Sequence, residues 1–330
     1  MRDPNAKTIV NLGLIAAMKD RSKARRVPKL AVTLWPSFPH FERFANDPRV
    51  DSIRLNSAMM SNPELDKELE LVKSTPHTVP LFFDVKGRQL RITEVLPNKE
   101  NLEIRLNHPI SVKTPCVVLF KAGADEALLD HLEEDGAKLV FNGGPRYNVN
   151  PGESLHIRDK SLEIHGDIFT PAELLKIEKV KKAGFNKYFL SYVEKQSDID
   201  QFQELVGKDA EIWLKIESIP GMKFVNNEFK KRDNLVLVAA RGDLFVELDK
   251  PHHMIPALRQ IIKKDPEACV GSRILLSTIT EEVPSCADLI EIAWLHDIGY
   301  RRMMLCDELC LKENLLARAV SVFNGVKHDL

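Results

Sequence analysis

The chain has 330 residues, 44% hydrophobic and 29% charged, an ordinary globular composition that excludes a disordered one. Its 47 Lys and Arg nearly balance 48 Asp and Glu, and the formal net charge of −1 speaks against a chain-wide electrostatic grip on nucleic acid or an anionic membrane. No apolar stretch approaches the length that spans a bilayer, Met1–Lys29 lacks the apolar core of a signal peptide, and five scattered cysteines without a CxxC pair suggest a reducing cytoplasm rather than a disulfide framework or a zinc knuckle.

By length the chain is two average domains or one large α/β barrel with an insertion. It opens on what reads as a leading helix and a basic connector, Lys19–Arg26, whose charges suit a solvated face. Short apolar runs then alternate with helix-periodic stretches: Leu30–Trp35, Ser52–Asn56, Val79–Lys86, Lys187–Val193, Glu211–Glu217, Leu235–Arg241, Ala268–Leu276 and Arg301–Cys306. Pro63–Lys73, Ser197–Val206, Ile255–Lys263, Cys286–Leu295 and Lys312–Phe323 read as helices between and after them. Strand–helix alternation implies parallel strands, because a parallel connection needs a crossover, and eight such units suggest an α/β fold of the (β/α)8 TIM-barrel kind.

Arg88 to Thr170 breaks the rhythm, being far longer than a βα crossover. It holds alternating pieces, Leu102–Leu106 and Cys116–Phe120, and the turn signals Asn142-Gly143-Gly144-Pro145 and Asn150-Pro151-Gly152. The division expected is a first barrel part at 1–87, an inserted β-rich lid domain at 88–170, and a second barrel part at 171–330. Thr170-Pro171-Ala172-Glu173 marks the return, with an N-cap, a proline at the first helical position and an acid in the first turn.

The informative residues stand at the C-terminal ends of the strands, where a barrel carries its chemistry. Strand two ends Arg54-Leu55-Asn56-Ser57, strand three Asp84-Val85-Lys86-Gly87 with Arg91 soon after, strand five Lys215-Ile216-Glu217, strand six Arg241-Gly242-Asp243; strand seven carries Gly271-Ser272-Arg273 and strand eight ends Cys306-Asp307-Glu308. A rim ion pair explains any one of these charges; charges of both signs converging on one face of an apolar core point to a site. Glu217 and Asp243 are hard oxygen ligands on neighbouring strands, suited to Mg2+ or Mn2+. Lys215 shares a strand face with Glu217 and can stabilise charge that moves in phosphoryl or proton transfer. Arg54 can clamp a phosphate or carboxylate, and Gly242 allows close approach to backbone N–H donors.

Six segments, in order along the chain, resemble the pyruvate kinase family. Lys29–Pro36 resembles its first barrel strand, Arg54-Leu55-Asn56 the start of RLNxSHG, and Asp84-Val85-Lys86-Gly87 with Arg91 the DTKGPEIR segment. Tyr192-Val193 with Lys195, Ser197 and Asp198 resembles FVRKASD, Lys215–Ser218 with Gly221 resembles KIENxEG, and Ala240–Leu244 resembles ARGDLG. The insertion falls where that family keeps its B domain. The resemblance implies that Glu217 and Asp243 hold the divalent metal, Lys215 stabilises the phosphoryl group in flight, and Arg54 holds the phosphate. It places Asn56, Ser57 and Asp84 in a monovalent-cation (K+) region. It gives the substrate carboxylate to the backbone of Arg241 and Gly242 and the hydroxyl of Ser272, with Arg91 counted among the substrate-binding residues.

Departures run alongside. Ala58, Met59 and Met60 stand where that family has Ser, His and Gly, which weakens the case for K+ although Ser57 lies next door. Trp35 replaces the glycine of TIGP, Val85 the threonine of DTKG, Arg88 and Gln89 its following Pro-Glu, and Phe245 the last glycine of ARGDLG. The insertion is short, and the sequence ends after the eighth helix, so a form without the family's C-terminal regulatory domain is expected. No GxxxxGK[ST], HExxH, GxSxG or GxGxxG occurs. His252-His253 reads as a solvent-facing pair and Cys306 as a small apolar residue.

The first reading is a pyruvate kinase-like phosphotransferase of glycolytic type, cytoplasmic, acting on phosphoenolpyruvate or pyruvate with Mg2+ or Mn2+. ADP or ATP use is in question, neither nucleic acid nor membrane is a partner, and a homo-oligomer is left open. The second is a metal-dependent aldolase or lyase that stabilises a 2-oxo-acid enolate without nucleotide; Arg273 favours it slightly, as an extra cation for a second anionic group. The third, a non-catalytic binding protein, is opposed by the joint presence of Lys215, Glu217 and Asp243.

Overall fold

A computed structural model describes residues 27–97 and 100–330. The expected leading helix and basic connector lie outside them. Eight parallel strands close into a barrel: β1 (Lys29–Thr33), β2 (Ser52–Asn56), β3 (Leu81–Val85), β11 (Lys187–Leu190), β12 (Glu211–Ile216), β13 (Leu235–Ala240), β14 (Cys269–Gly271) and β15 (Arg302–Met304), in the spatial order β1-β15-β14-β13-β12-β11-β3-β2. The chain is thus an α/β protein built on a (β/α)8 barrel, each expected strand being present. Seven of the eight strands are shorter than their apolar runs, two of them for a visible backbone reason. Tyr192 (φ 52) ends the fourth barrel strand, and Ser272, Arg273 and Leu275 (φ 65, 59 and 56) end the seventh, left-handed conformations that cannot continue a pleated ladder.

Side chains along each barrel strand alternate between the helix layer and the interior. On the interior column of β3 stand Phe82 and Asp84, continued by Lys86; on β12, Trp213 and Lys215, continued by Glu217; on β2, Arg54 and Asn56; on β11, Phe189, continued by Ser191. The lower layer is apolar: Ala31, Phe82, Phe189, Trp213, Val236, Val238, Cys269 and Met304 form one buried cluster, with the Phe82 and Trp213 rings 4.8 Å apart. The layer above it, at the C-terminal ends, is charged. Alternation therefore puts the polar residues directly on top of the aromatic plug.

Helices cover the barrel as the caps dictate. Helix Asn62–Ser74 starts at Ser61, whose side chain and that of Glu64 form a capping box; helix Pro171–Lys182 starts at Thr170, whose hydroxyl accepts from Glu173 N at 3.2 Å. Between β3 and that helix lies a five-stranded antiparallel sheet in the order β4-β5-β9-β8-β7: β4 (Ile92–Leu96), β5 (Glu103–Leu106), β7 (Cys116–Phe120), β8 (Asp125–Glu133) and β9 (Lys138–Asn142). The two-residue strands β6 (Ile110–Ser111) and β10 (Glu163–Ile164) pair beside it. This unit buries its own cluster, centred on Ile104, Val118, Leu129, Leu139 and Phe141. It meets the barrel at helix Arg241–Glu247, which follows β13: His156 pairs with Glu247, and Arg158 donates to Leu248 O at 3.4 Å. The insert thus stands at the end of the barrel that carries the charged layer.

All five cysteines are free thiols, and among the described residues no helix is long and apolar enough to cross a membrane.

Candidate active site

The charged layer is built around Asp84, a fully buried carboxylate. Its Oδ2 accepts from Lys86 Nζ at 2.9 Å and lies 3.6 Å from both Arg54 Nη1 and Lys215 Nζ; its Oδ1 accepts from Ser191 Oγ at 3.2 Å. Burial opposes its charge, yet Lys215, Lys86 and Arg54 together hold the carboxyl well below the usual range. Gly87 makes this packing feasible: a Cβ there would stand 2.5 Å from Ser191 O, so only glycine lets the end of β3 close onto the end of β11.

Lys215 Nζ donates to Ser191 Oγ at 3.0 Å and pairs with Glu217 Oε1 at 3.0 Å. Burial works against its charge, but Asp84 and Glu217 raise its pKa, so it is a buried ammonium. Lys86 has the opposite balance: burial, assisted by the neighbouring cations and opposed by Asp84, pushes it down to about 8. Glu217 Oε2 accepts from Tyr192 N at 2.8 Å. Burial pushes the Glu217 carboxyl up against the pull of Lys215, and the charge of Asp243 adds to the rise.

Asp243 faces Glu217 from the helix that follows β13. Its Oδ2 accepts from Gln89 Nε2 at 3.1 Å, and its Oδ1 lies 3.4 Å from His156 Nε2. Burial opposes its ionisation, but His156 and Lys215 hold it well below the usual carboxylate range. Two mutually repelling carboxylates in a buried setting are the donor set that a hard divalent cation relieves, with water and ligand oxygens completing its shell; the residues fit Mg2+ or Mn2+. Among the described residues no cluster of three or more His, Cys, Asp and Glu side chains is placed to hold a metal ion.

The residues expected around a monovalent cation are engaged within the protein. Asp84 is already balanced by Lys86, Ser57 Oγ donates to Asp84 O at 2.6 Å, Asn56 Nδ2 donates to Asp307 Oδ2 at 2.6 Å, and Ala58 brings no hydroxyl. A cation here would face three positive side chains.

Arg54 sits beside this cluster, its Nε donating to Thr33 Oγ1 at 3.1 Å and its Nη2 pairing with Asp307. Its Nη1 makes no hydrogen bond to any described residue. Gly242 and Ser272 adjoin: a Cβ on Gly242 would meet Ser272 Oγ at 3.5 Å. Two sequence expectations are narrowed. The Arg241 guanidinium donates to Ser272 O, at 3.1 Å from Nε and 2.5 Å from Nη2, and pairs with Glu291 at 2.6 Å, leaving only its backbone to a ligand. Arg91 bonds Gly152 O at 2.5 Å and the Gln89 side chain, so it reaches Asp243 through Gln89 rather than lining the pocket itself.

Sequence reasoning missed Ser191, which sits between Asp84 and Lys215, and His156 and Glu247, which tie the insert to Asp243. The available signal for His156 was a lone polar residue between the buried Leu155 and Ile157. Cys306 is buried and its thiol is pushed up to about 12 by burial, an unreactive side chain. His252 and His253 meet edge to face, ring centroids 4.9 Å apart, at the start of a helix away from the charged layer.

The chain is thus a closed (β/α)8 barrel crowned by a charged layer, with a β insert against its sixth strand end. No protein-family model matches the chain. It is similar to the pyruvate kinase of Thermoplasma acidophilum, 23% identical over 287 residues that cover 80% of this chain and 51% of that one, and to the pyruvate kinase of Borreliella burgdorferi, 24% identical over 288 residues that cover 77% and 58%. The chain thus spans about half the length of the curated relatives it matches. Its fold is that of the pyruvate kinase from Pyrobaculum aerophilum, with a TM-score of 0.70 over 93% of this chain and 74% of that one at 17% identity. The chain is thus similar to pyruvate kinases over most of its length and shares their barrel fold.

Proposed function

We propose that the chain is a pyruvate kinase-like phosphotransferase that handles phosphoenolpyruvate or pyruvate with a divalent metal between Glu217 and Asp243. The observation that supports it best is the buried ammonium of Lys215, 3.0 Å from Glu217, in a pocket that Asp243 closes from the next strand end. The metal, when bound, supplies positive charge to substrate oxygens. Lys215 offers a fixed cation where negative charge develops, and Arg54 Nη1, held only by its 3.6 Å ion pair with Asp84, offers a second to an oxyanion. The Gly242 backbone and the Ser272 hydroxyl receive the carboxylate. The 88–170 insert acts as a lid that keeps water from the reacting group.

Loss of either carboxylate tests the metal assignment. Glu217→Gln and Asp243→Asn should each weaken Mn2+ binding, read by water-proton relaxation, by roughly tenfold or more, about 1.4 kcal/mol. Wild-type affinity in either variant would remove that residue as a ligand.

Nucleotide use is the weak side of this reading. Trp35, where the family has glycine, is only 7% exposed and belongs to the main core, so its ring offers no face for a base to stack on. In calorimetry with Mg2+, oxalate, a mimic of pyruvate enolate, should bind clearly and ADP weakly. Tight ADP binding with rapid pyruvate formation would restore ordinary kinase activity; absent oxalate binding would overturn the 2-oxo-acid pocket itself. A metal-dependent aldolase or lyase acting through the same enolate is the second reading, and the specific observation in its favour is the unengaged guanidinium of Arg273.

A further inference from the structure

The loop that follows β14 carries an arginine with nothing to bind. Arg273 makes no hydrogen bond or ion pair with any described residue, and its Nε is buried without a partner. The other arginines of the site differ: Arg54, Arg91 and Arg241 each donate to named acceptors. A half-buried guanidinium without an acceptor is costly unless a ligand completes it.

Its position is fixed from two sides. Ser272 and Arg273 both hold left-handed backbone angles, φ 65 and 59, which cost free energy for non-glycine residues and persist where surroundings over-determine them. The guanidinium lies over the Phe245 ring at 4.5 Å, and stacking on an aromatic face leaves the N–H edge of the fork open. Phe245 is three residues beyond Gly242 on one short helix, so the two share a face, and Gly242 abuts Ser272. Phe245 itself thus lies about one helical turn, ~5 Å along the axis, from Gly242. Phe245 is itself a departure from glycine, so ring and cation form a matched pair.

We propose that Arg273, seated on Phe245, is a specificity-determining anion subsite, and that the ligand is a 2-oxo acid bearing a second oxyanionic group beyond the carboxylate held at Gly242 and Ser272. The proposal rests on the 2-oxo-acid reading of the pocket. A carboxylate and a phosphate share the chemistry the fork recognises.

Mn2+-loaded wild type and Arg273→Gln are compared by calorimetry with oxalate, pyruvate, oxaloacetate, 2-oxoglutarate and inorganic phosphate. Wild type should prefer a dicarboxylic 2-oxo acid over pyruvate, or retain phosphate, by about tenfold, 1.4 kcal/mol. Arg273→Gln should reduce that preference to within threefold and leave oxalate affinity within twofold. Phe245→Leu, which keeps an apolar side chain but removes the stacking face, should weaken the same preference. Selective loss with the dicarboxylates identifies a second carboxylate; selective loss with phosphate identifies a phosphoryl group. Equal affinities for pyruvate and every second-anion probe, or an Arg273→Gln variant that keeps the preference, overturns the subsite. No oxalate binding by wild type overturns the pocket reading instead, so the two failures are told apart.

Discussion

Lys215→Met should abolish turnover while leaving the pocket assembled. The ammonium is buried, 3.0 Å from Glu217 Oε1 and from Ser191 Oγ. A fixed cation aimed at developing charge acts chiefly in the transition state, and losing one such donor costs about 10²–10³ in rate. The loss should therefore appear in kcat, with KM nearly unchanged. Methionine fills a similar volume, and Asp84 keeps its pairing with Lys86 and its proximity to Arg54. Glu217, whose pKa is already raised, can take up a proton, so the variant should fold. The readouts are pyruvate formation from phosphoenolpyruvate and, independent of any nucleotide, metal-dependent exchange of the pyruvate methyl protons with deuterium. Oxalate binding serves as the control for an intact pocket. A variant that exchanges those protons at near wild-type rate would remove Lys215 from the chemistry under both readings.

The barrel was legible because its signal is repeated. Eight apolar runs, each closed by polar residues, over-determine a parallel barrel even where one run misjudges its own end. Where a run overshot with a visible cause, it did so through left-handed residues that no propensity marks: Tyr192, Ser272, Arg273 and Leu275 are ordinary strand formers or neutral, and tertiary contacts impose their conformations. The column Lys215 and Glu217 was readable by period-two alternation alone. Its partner Ser191 was not, because whether a serine after a strand faces the barrel interior depends on which way Tyr192 turns the chain. The side-chain partners of Arg241 and Arg91 were not readable for a related reason. A sequence shows a cation near a strand end but not which acceptors reach it first, and Ser272 O, Glu291, Gly152 O and the Gln89 side chain do. Least legible was the contact between insert and barrel, since His156 and Asp243 are far apart in sequence and meet only when two separately folded cores dock.

That contact sets a pH dependence of stability in the chelator-treated protein. His156 belongs to the insert and its side chain is fully buried, with Nδ1 2.7 Å from Glu247 Oε1, Nε2 3.4 Å from Asp243 Oδ1 and the Tyr192 hydroxyl 3.4 Å from Nδ1. Burial alone would lower its pKa, but the hydrogen bonds and charges of Asp243 and Glu247 raise it to about 9. Gln89, on the other oxygen of Asp243, carries no charge, and the Tyr192 hydroxyl is held neutral, its pKa well above the ordinary value through burial and the surrounding carboxylates. The folded-state pKa therefore exceeds the unfolded one. The stabilisation is complete below the unfolded value, near pH 6.5, and is lost as pH rises through about 9, an amount on the order of 3 kcal/mol. Urea denaturation from pH 6 to 9.5 should show this decline. His156→Gln, which keeps a donor but no charge, should be less stable than wild type at pH 6.5 and should lack this decline, keeping only the opposite contribution of Lys86, whose lowered pKa adds stability as pH rises above about 8. It should also open the insert to limited proteolysis at pH 6.5, while the barrel fragment keeps its far-ultraviolet signal. An equal slope in wild type and His156→Gln would mean that the imidazolium does not bind the insert to the barrel.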